Sequence, residues 1–343
     1  MKALVLEEKN KLVYKEFPDP EILPNEVLVK VHACGICGSD VHGMDGSSGR
    51  RIPPIIMGHE ASGVISKTGK NVKSWRVGDR VTFDSTIYPL DDWFTKQGMY
   101  NLSDNRMVLG VSCIKYRRHG AFADFVAVPQ HILYKISDKI TFNQAAMVEP
   151  VAVAIHAIEL TPISVNDTAL VVGTGLIGLF IIQVLKIKGC GQVIAVDLQQ
   201  ERLELAKEFG ATATFNSGEN NIIENIHKLT QNRGVDIAFE AVGITPTVKL
   251  AIESVRKGAT ITLVGNLTPV TELPLQTIVT RQLRLQGSCA ISGEYPAALS
   301  MIEQGRINVD KVLSATAPLS EGAQWFKRLY EKEKGLLKVI LNP

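Results

Sequence analysis

Residues 168–197 read TALVVGTGLIGLFIIQVLKIKGCGQVIAVD, and their reading decides the fold. The β-branched, apolar run TALVV is a strand by propensity. It passes directly into Gly173-Thr174-Gly175-Leu176-Ile177-Gly178, which opens a long apolar helix, and QVIAVD then forms a second strand ending on Asp197. In this order each glycine serves a separate purpose. Gly173 permits a tight turn, Gly175 lets the backbone approach a pyrophosphate, and Gly178 allows the helix to pack closely. The amides of the first helical turn, around Leu176 and Ile177, point at the phosphates, and Asp197 suits the hydroxyls of a ribose. Arg202 follows closely enough to soften a preference against an extra phosphate there. The competing reading is an ordinary glycine turn with Asp197 as a helix cap.

Outward from this motif the strand-helix alternation continues. QERLELAKEFG reads as helix, VDIAFEAVG as strand, PTVKLAIESVRKG as helix, ATITLVG as strand and LRLQGS as a further strand. Such alternation predicts a doubly wound parallel sheet with helices on both faces. The half before about residue 135 differs, with short β-type runs such as Glu26–Val31, Ala61–Ile65, Asp79–Phe83 and Phe122–Val128 broken by glycine and proline. Between them, residues 143–160 read as a helix in which Pro150 marks either a kink or a fresh start.

At 343 residues, two domains are the expectation. Lys plus Arg number 37 against 35 Asp plus Glu, without a basic block, so nothing electrostatic favours nucleic acid; the expected partners are small molecules. The N-terminal segment has no signal-peptide core, and the most apolar run, Leu176 to Leu185, is too short for a bilayer, so a soluble cytoplasmic protein is expected. Five cysteines suggest reduced thiols. Cys34 and Cys37 form a CxxC, but in a β-type run without a thioredoxin pattern.

The N-terminal half also holds Cys37-Gly38-Ser39-Asp40-Val41-His42, Gly58-His59-Glu60 and Val148-Glu149-Pro150. A thiolate, an imidazole and carboxylates are the donors that suit zinc with an open position, though separately each has a bland structural explanation. HACGICGSDVH at 32–42, GHEASGVI at 58–65, VGDRV at 77–81, GAFADFVAVP at 120–129, VEP at 148–150 and VVGTGLIG at 171–178 occur in this order. Together they resemble the zinc-containing medium-chain dehydrogenases, in particular the sorbitol, threonine and related polyol branch.

That resemblance implies an α/β protein: a mostly β, GroES-like catalytic domain from residues 1–150 and 290–343, and a Rossmann NAD-binding domain from 151–289. It implies Cys37, His59 and Glu149 as zinc ligands, with Glu60 beside the metal and able to join it. Ser39 would hydrogen-bond the reacting substrate oxygen, and His42 would be the far member of a proton relay; Asp40 receives no role. Relatives often hold a second, structural zinc with four cysteines, but here those positions carry Pro89, Asp92, Thr95 and Ser103. One catalytic zinc and no structural zinc is therefore expected. The cofactor expected is NAD, and the activity hydride transfer from a secondary hydroxyl of a polyol or sugar-like substrate. Tyr116, Arg117, Arg118 and His119 are candidate substrate residues; if the arginines held an anion, a sugar acid or sugar phosphate would be the substrate, whereas a solvated basic turn is the plain alternative. A metal-free reductase and a non-catalytic nucleotide-binding protein are the competing classes. Family members usually pair cofactor-domain sheets, so a homodimer or homotetramer is expected.

Overall fold

The computed structural model describes all residues, Met1–Pro343, and divides into two compact units, Pro150–Glu294 and Met1–Glu149 with Tyr295–Pro343. The second crossing falls between Glu294 and Tyr295, whereas the sequence reading puts it at 289/290.

The unit Pro150–Glu294 is built on a six-stranded, wholly parallel sheet. Its spatial order is Ala213–Asn216, Gln192–Asp197, Thr168–Val172, Val235–Glu240, Val255–Leu263, Arg284–Gly287. Strand order therefore reverses beside Thr168–Val172, the crevice where such sheets hold a ligand at their carboxyl ends. The helix Leu176–Lys188 leaves from that point, buried from Gly178 through Leu185 and closed by Gly189 in the left-handed conformation. Three elements here escape the sequence reading, the short helix Leu275–Thr280, the strand Ala213–Asn216 and the helix Ile222–Leu229. The strand has four residues at a sheet edge, and the helix Ile222–Leu229 follows Asn221 at positive φ, without a side-chain cap. Neither of these two offers much period or start signal. Val255 to Gly258, read as the end of a helix, instead opens the strand Val255–Leu263, with Gly258 at φ +72°.

The other unit centres on the strand Glu26–Gly35, which pairs antiparallel with Glu60–Thr68 on one side, and with Phe125–Pro129 and Lys338–Asn342 along its other edge. At its far end the register sets Gly35 opposite both Glu60 and Ile340. Three segments distant in sequence thus meet where the chain turns toward Cys37. Beneath them lies a core that includes Leu4, Leu6, Val27, Val29, Ile55, Phe83, Phe122 and Phe326, all fully buried. The helical reading of residues 143–160 resolves into Phe142–Ala146, started by a Thr141/Gln144 capping box, and Val148–Glu159. Pro150 sits in the first turn of the latter, where its missing N–H costs no hydrogen bond, so it marks a fresh start.

Candidate metal and cofactor sites

Cys37 caps the six-residue helix Gly38–Gly43 from an extended backbone, its sulfur receiving the Ser39 amide at 3.4 Å and the Ser39 hydroxyl at 3.2 Å. His59 and Glu60 follow Gly58, whose φ of +93° reverses the chain. A Cβ there would also stand 2.8 Å from the Cys34 sulfur, so only glycine fits. This turn delivers both side chains inward, and the ligand atoms of Cys37, His59 and Glu60 lie within 4.8 Å of one another. Glu149 enters from the first turn of Val148–Glu159. Burial and the nearby Glu60 raise its carboxyl to about 8, a sign that two carboxylates share one poorly hydrated volume.

Behind these groups stand residues to which sequence reading gives no part. Asp40, wholly buried, turns one carboxylate oxygen toward His59 Nδ1 at 3.4 Å, so that a metal on this ring would bind at Nε2. Its other oxygen receives Arg51 Nε at 3.0 Å and NH2 at 2.7 Å. Burial alone would raise the Asp40 carboxyl, but His59 and Arg51 outweigh it and bring it down to about 2. Lys338, only 1% exposed, donates to Glu60 Oε2 and to the Ile36 carbonyl at 3.0 Å. Gly35 makes room for this pair, since a Cβ there would press on the Glu60 carboxylate and come within 2.8 Å of Lys338 Cε. The one available signal for Lys338 is a lone charge inside the apolar terminal run LLKVILNP. Arg51 has none, because Arg50 beside it is exposed and looks the same in sequence.

The donor set fits a zinc ion. Burial would lower the His59 pKa, yet Asp40 and Cys37 outweigh burial and hold it well above the ordinary histidine value. Soft sulfur, imidazole and carboxylate gathered within 4.8 Å of one another are the donors zinc takes.

In the other unit, Gly173 takes φ +93° at the end of its strand. Gly178 lies so close to the turn that a Cβ would collide with the Gly173 carbonyl oxygen. Gly175 begins the helix with no side chain capping it, and Leu176 and Ile177 are half-buried, so the first-turn amides remain available to an anion. Asp197 receives the Thr174 amide at 2.7 Å and the Gln199 amide at 2.9 Å, which fastens the glycine turn to the end of the next strand. Arg202 NH1 lies 4.0 Å from where a Cβ on Gly175 would stand. Glu240, also overlooked in sequence, is fully buried; its carboxylate accepts the Val242 and Gly243 amides and its carbonyl accepts those of Val264 and Gly265. It thereby ties together the loops that leave two adjacent strands.

Tyr116, Arg117, Arg118 and His119 have partners of their own. Tyr116 Oη accepts the Val108 amide, and Arg117 donates to Ser112 Oγ and the Pro53 carbonyl. Arg118 pairs with Glu26 at 2.5 Å and donates to the Ala127 carbonyl, while His119 Nδ1 accepts the Ile56 amide and its ring meets Phe17 edge-on. Arg117, Arg118 and His119 line a cleft of about 290 Å³ with Phe17, Pro18 and Phe125.

This pairing of sites coincides with two protein-family models, the alcohol dehydrogenase GroES-like domain over residues 23–138 and the zinc-binding dehydrogenase over 177–304. The chain is 32% identical over 348 residues to sorbitol dehydrogenase of Bacillus subtilis, covering 100% of this chain and 97% of that protein. It is 34% identical over 353 residues to D-xylulose reductase A of Aspergillus niger, covering 98% and 96%. A solved structure of a putative zinc-binding dehydrogenase from Sinorhizobium meliloti, bound to NADP, superposes with a TM-score of 0.92 at 30% identity, over 100% of this chain and 99% of the other. The chain belongs to the zinc-dependent medium-chain dehydrogenases, in their polyol dehydrogenase branch. It is an enzyme that works with zinc and a nicotinamide cofactor.

Proposed function

We propose that the chain oxidises a secondary hydroxyl of a neutral polyol, or reduces the corresponding ketose, with NAD and one zinc ion per chain. The observation that carries this is the convergence of Cys37, His59 and Glu60, donors that suit a catalytic zinc, with the half-buried Glu149 nearby but outside that trio. When bound, zinc supplies Lewis acidity to the substrate hydroxyl and the nicotinamide ring takes up the hydride. Ser39 and His42 lie three residues apart on one short helix, hence on one face, and both are exposed. Ser39 Oγ accepts the substrate hydroxyl proton while giving up its own along a relay that ends at His42, whose imidazole, the side chain type suited to moving protons at neutral pH, passes a proton to water.

A neutral substrate is favoured because the cations near the donors and the basic turn are committed: Lys338 to Glu60, Arg51 to Asp40, Arg118 to Glu26. The names of the two curated relatives point the same way. NAD is favoured because Asp197 closes the glycine turn with a negative charge, where a 2′-phosphate would meet repulsion. The S. meliloti neighbour, which holds NADP, makes this the point to measure. The absence of cysteine at Pro89, Asp92, Thr95 and Ser103 supports a single zinc; there Asp92 instead caps the short helix Trp93–Lys96. For assembly we favour a dimer or tetramer through the edge strand Arg284–Gly287, which pairs on one side only, next to Leu275 and Val279, 69% and 68% exposed. Five free cysteines suit a cytoplasmic location; no helix is long and apolar enough to cross a membrane.

The test is absorbance at the reduced-nicotinamide band with polyols, sugar acids and sugar phosphates, each with NAD and NADP. Turnover confined to phosphorylated or acidic sugars overturns the neutral-polyol reading, and equal kcat/KM with both cofactors overturns the role of Asp197.

A further inference from the structure

Arg51 is 4% exposed, and each of its guanidinium nitrogens has a protein partner. Nε and NH2 both donate to Asp40 Oδ1, NH2 also reaches Ser39 Oγ at 3.4 Å, and NH1 donates to the Arg50 carbonyl at 3.0 Å. The backbone that carries it is stitched down, the Ser112 amide donating to the Arg50 carbonyl and the Ile52 amide to that of Ser112. Its stem runs against Gly43, where a Cβ would come within 2.7 Å of Arg51 Cγ. The guanidinium is therefore held from both ends. Asp40, gripped through one oxygen, faces His59 Nδ1 with the other at 3.4 Å, an ionic contact and not a hydrogen bond.

We propose that Arg51 is a positioning residue that joins two parts of the active centre, orienting the metal ligand His59 through Asp40 and the proton-accepting hydroxyl of Ser39 directly. A planar guanidinium spans both because its donors form a fixed fork; a lysine ammonium is a single point and serves only one. Loss of the fork frees the Asp40 carboxylate to rotate and leaves it a buried anion with one partner fewer. The proposal rests on the polyol dehydrogenase reading for the role of Ser39, and on geometry alone for the hold on His59.

The experiment compares zinc-loaded parent, Arg51→Ala, Arg51→Lys, Ser39→Ala and the double variant Ser39→Ala/Arg51→Lys. Two quantities are followed, the rate of zinc release to a chromogenic chelator and the separate values of kcat and KM. Arg51→Ala should release zinc about 10- to 100-fold faster, the range expected on losing a group that orients a metal ligand. Added guanidinium chloride, at concentrations that leave the parent folded, should slow that release again. Arg51→Lys should retain zinc like the parent yet lose kcat about tenfold, and that loss should vanish in the Ser39→Ala background, as required for groups acting as a unit. Parent-like zinc release and kcat in Arg51→Ala would overturn the proposal. So would an Arg51→Lys loss that persists undiminished when Ser39 is alanine. If Arg51→Ala does not fold, the lysine series still decides. A parent that turns over no polyol would sink the functional reading, while the chelator measurement would still judge the hold on His59.

Discussion

At Lys338 and Glu60, opposite charges meet with almost no water between them. Removing one partner of a buried pair costs about 3–5 kcal/mol, because the remaining charge is left unpaired, whereas removing both costs far less. Lys338→Met is therefore expected to lower the stability of the metal-free protein by that amount in urea unfolding, and Lys338→Met/Glu60→Gln to recover part of it. A single variant as stable as the parent would show that Glu60 finds another partner. Glu149 differs, since burial and Glu60 raise its carboxyl to about 8 even though His59 and Lys338 pull the other way. Glu149→Ala is expected to lose most polyol oxidation and to retain less zinc on dialysis. Retention of both near the parent level would remove Glu149 from the catalytic centre.

Elements set the cofactor site more than any single side chain does. The glycine turn works only while the helix Leu176–Lys188 packs against it, and a methyl group on Gly178 would press on the Gly173 carbonyl. Gly178→Ala should leave the circular dichroism unchanged but weaken NADH binding at least about tenfold, read by fluorescence titration; unaltered affinity would mean the helix can shift without cost to the site. At the opposite end of the sheet, Asp236 accepts the Thr168 amide and pairs with Arg233 and Arg256. Burial would raise its carboxyl, but the Thr168 amide and the two arginines outweigh burial and lower it. A carboxylate held below its unfolded value, about 3.9, stabilises the fold above that pH and loses the contribution as pH falls through the folded value. Asp236→Asn is thus expected to cost about 1–2 kcal/mol at pH 7, modest because both arginines are partly exposed, with the difference from the parent shrinking below about pH 4. A difference that is constant with pH would point to packing instead of charge.

For the whole molecule the count of metals is the sharpest expectation. Elemental analysis should return one zinc per chain, since the lobe from Pro89 to Ser103 offers no thiolate. Two tightly held zinc ions would overturn that reading. Light scattering should give two or four chains, and charges placed on the edge strand, for example Leu285→Lys, should reduce that number.

Much of this is legible in one dimension. Periodicity and glycine spacing around residues 168–197 specify a parallel sheet and its nucleotide turn, because those signals are local: a strand, a tight turn and a helix start within a few residues of one another. Cys37, His59 and Glu60, which the structure gathers, are legible as candidate donors for the same reason, each sitting in a short motif. Tertiary structure decided what surrounds them. Lys338 reaches Glu60 only because the terminal strand Lys338–Asn342 lies beside Gly35, and Arg51 reaches Asp40 only because its backbone is fastened to Ser112. It likewise gave Arg117 and Arg118 internal partners that composition had no means of revealing. Donor identity is a property of side-chain chemistry and survives in the sequence. The partner of a buried charge is settled by sheet register and burial, which act between residues 11 positions apart at Arg51 and Asp40 and 278 apart at Lys338 and Glu60, and leave no local mark.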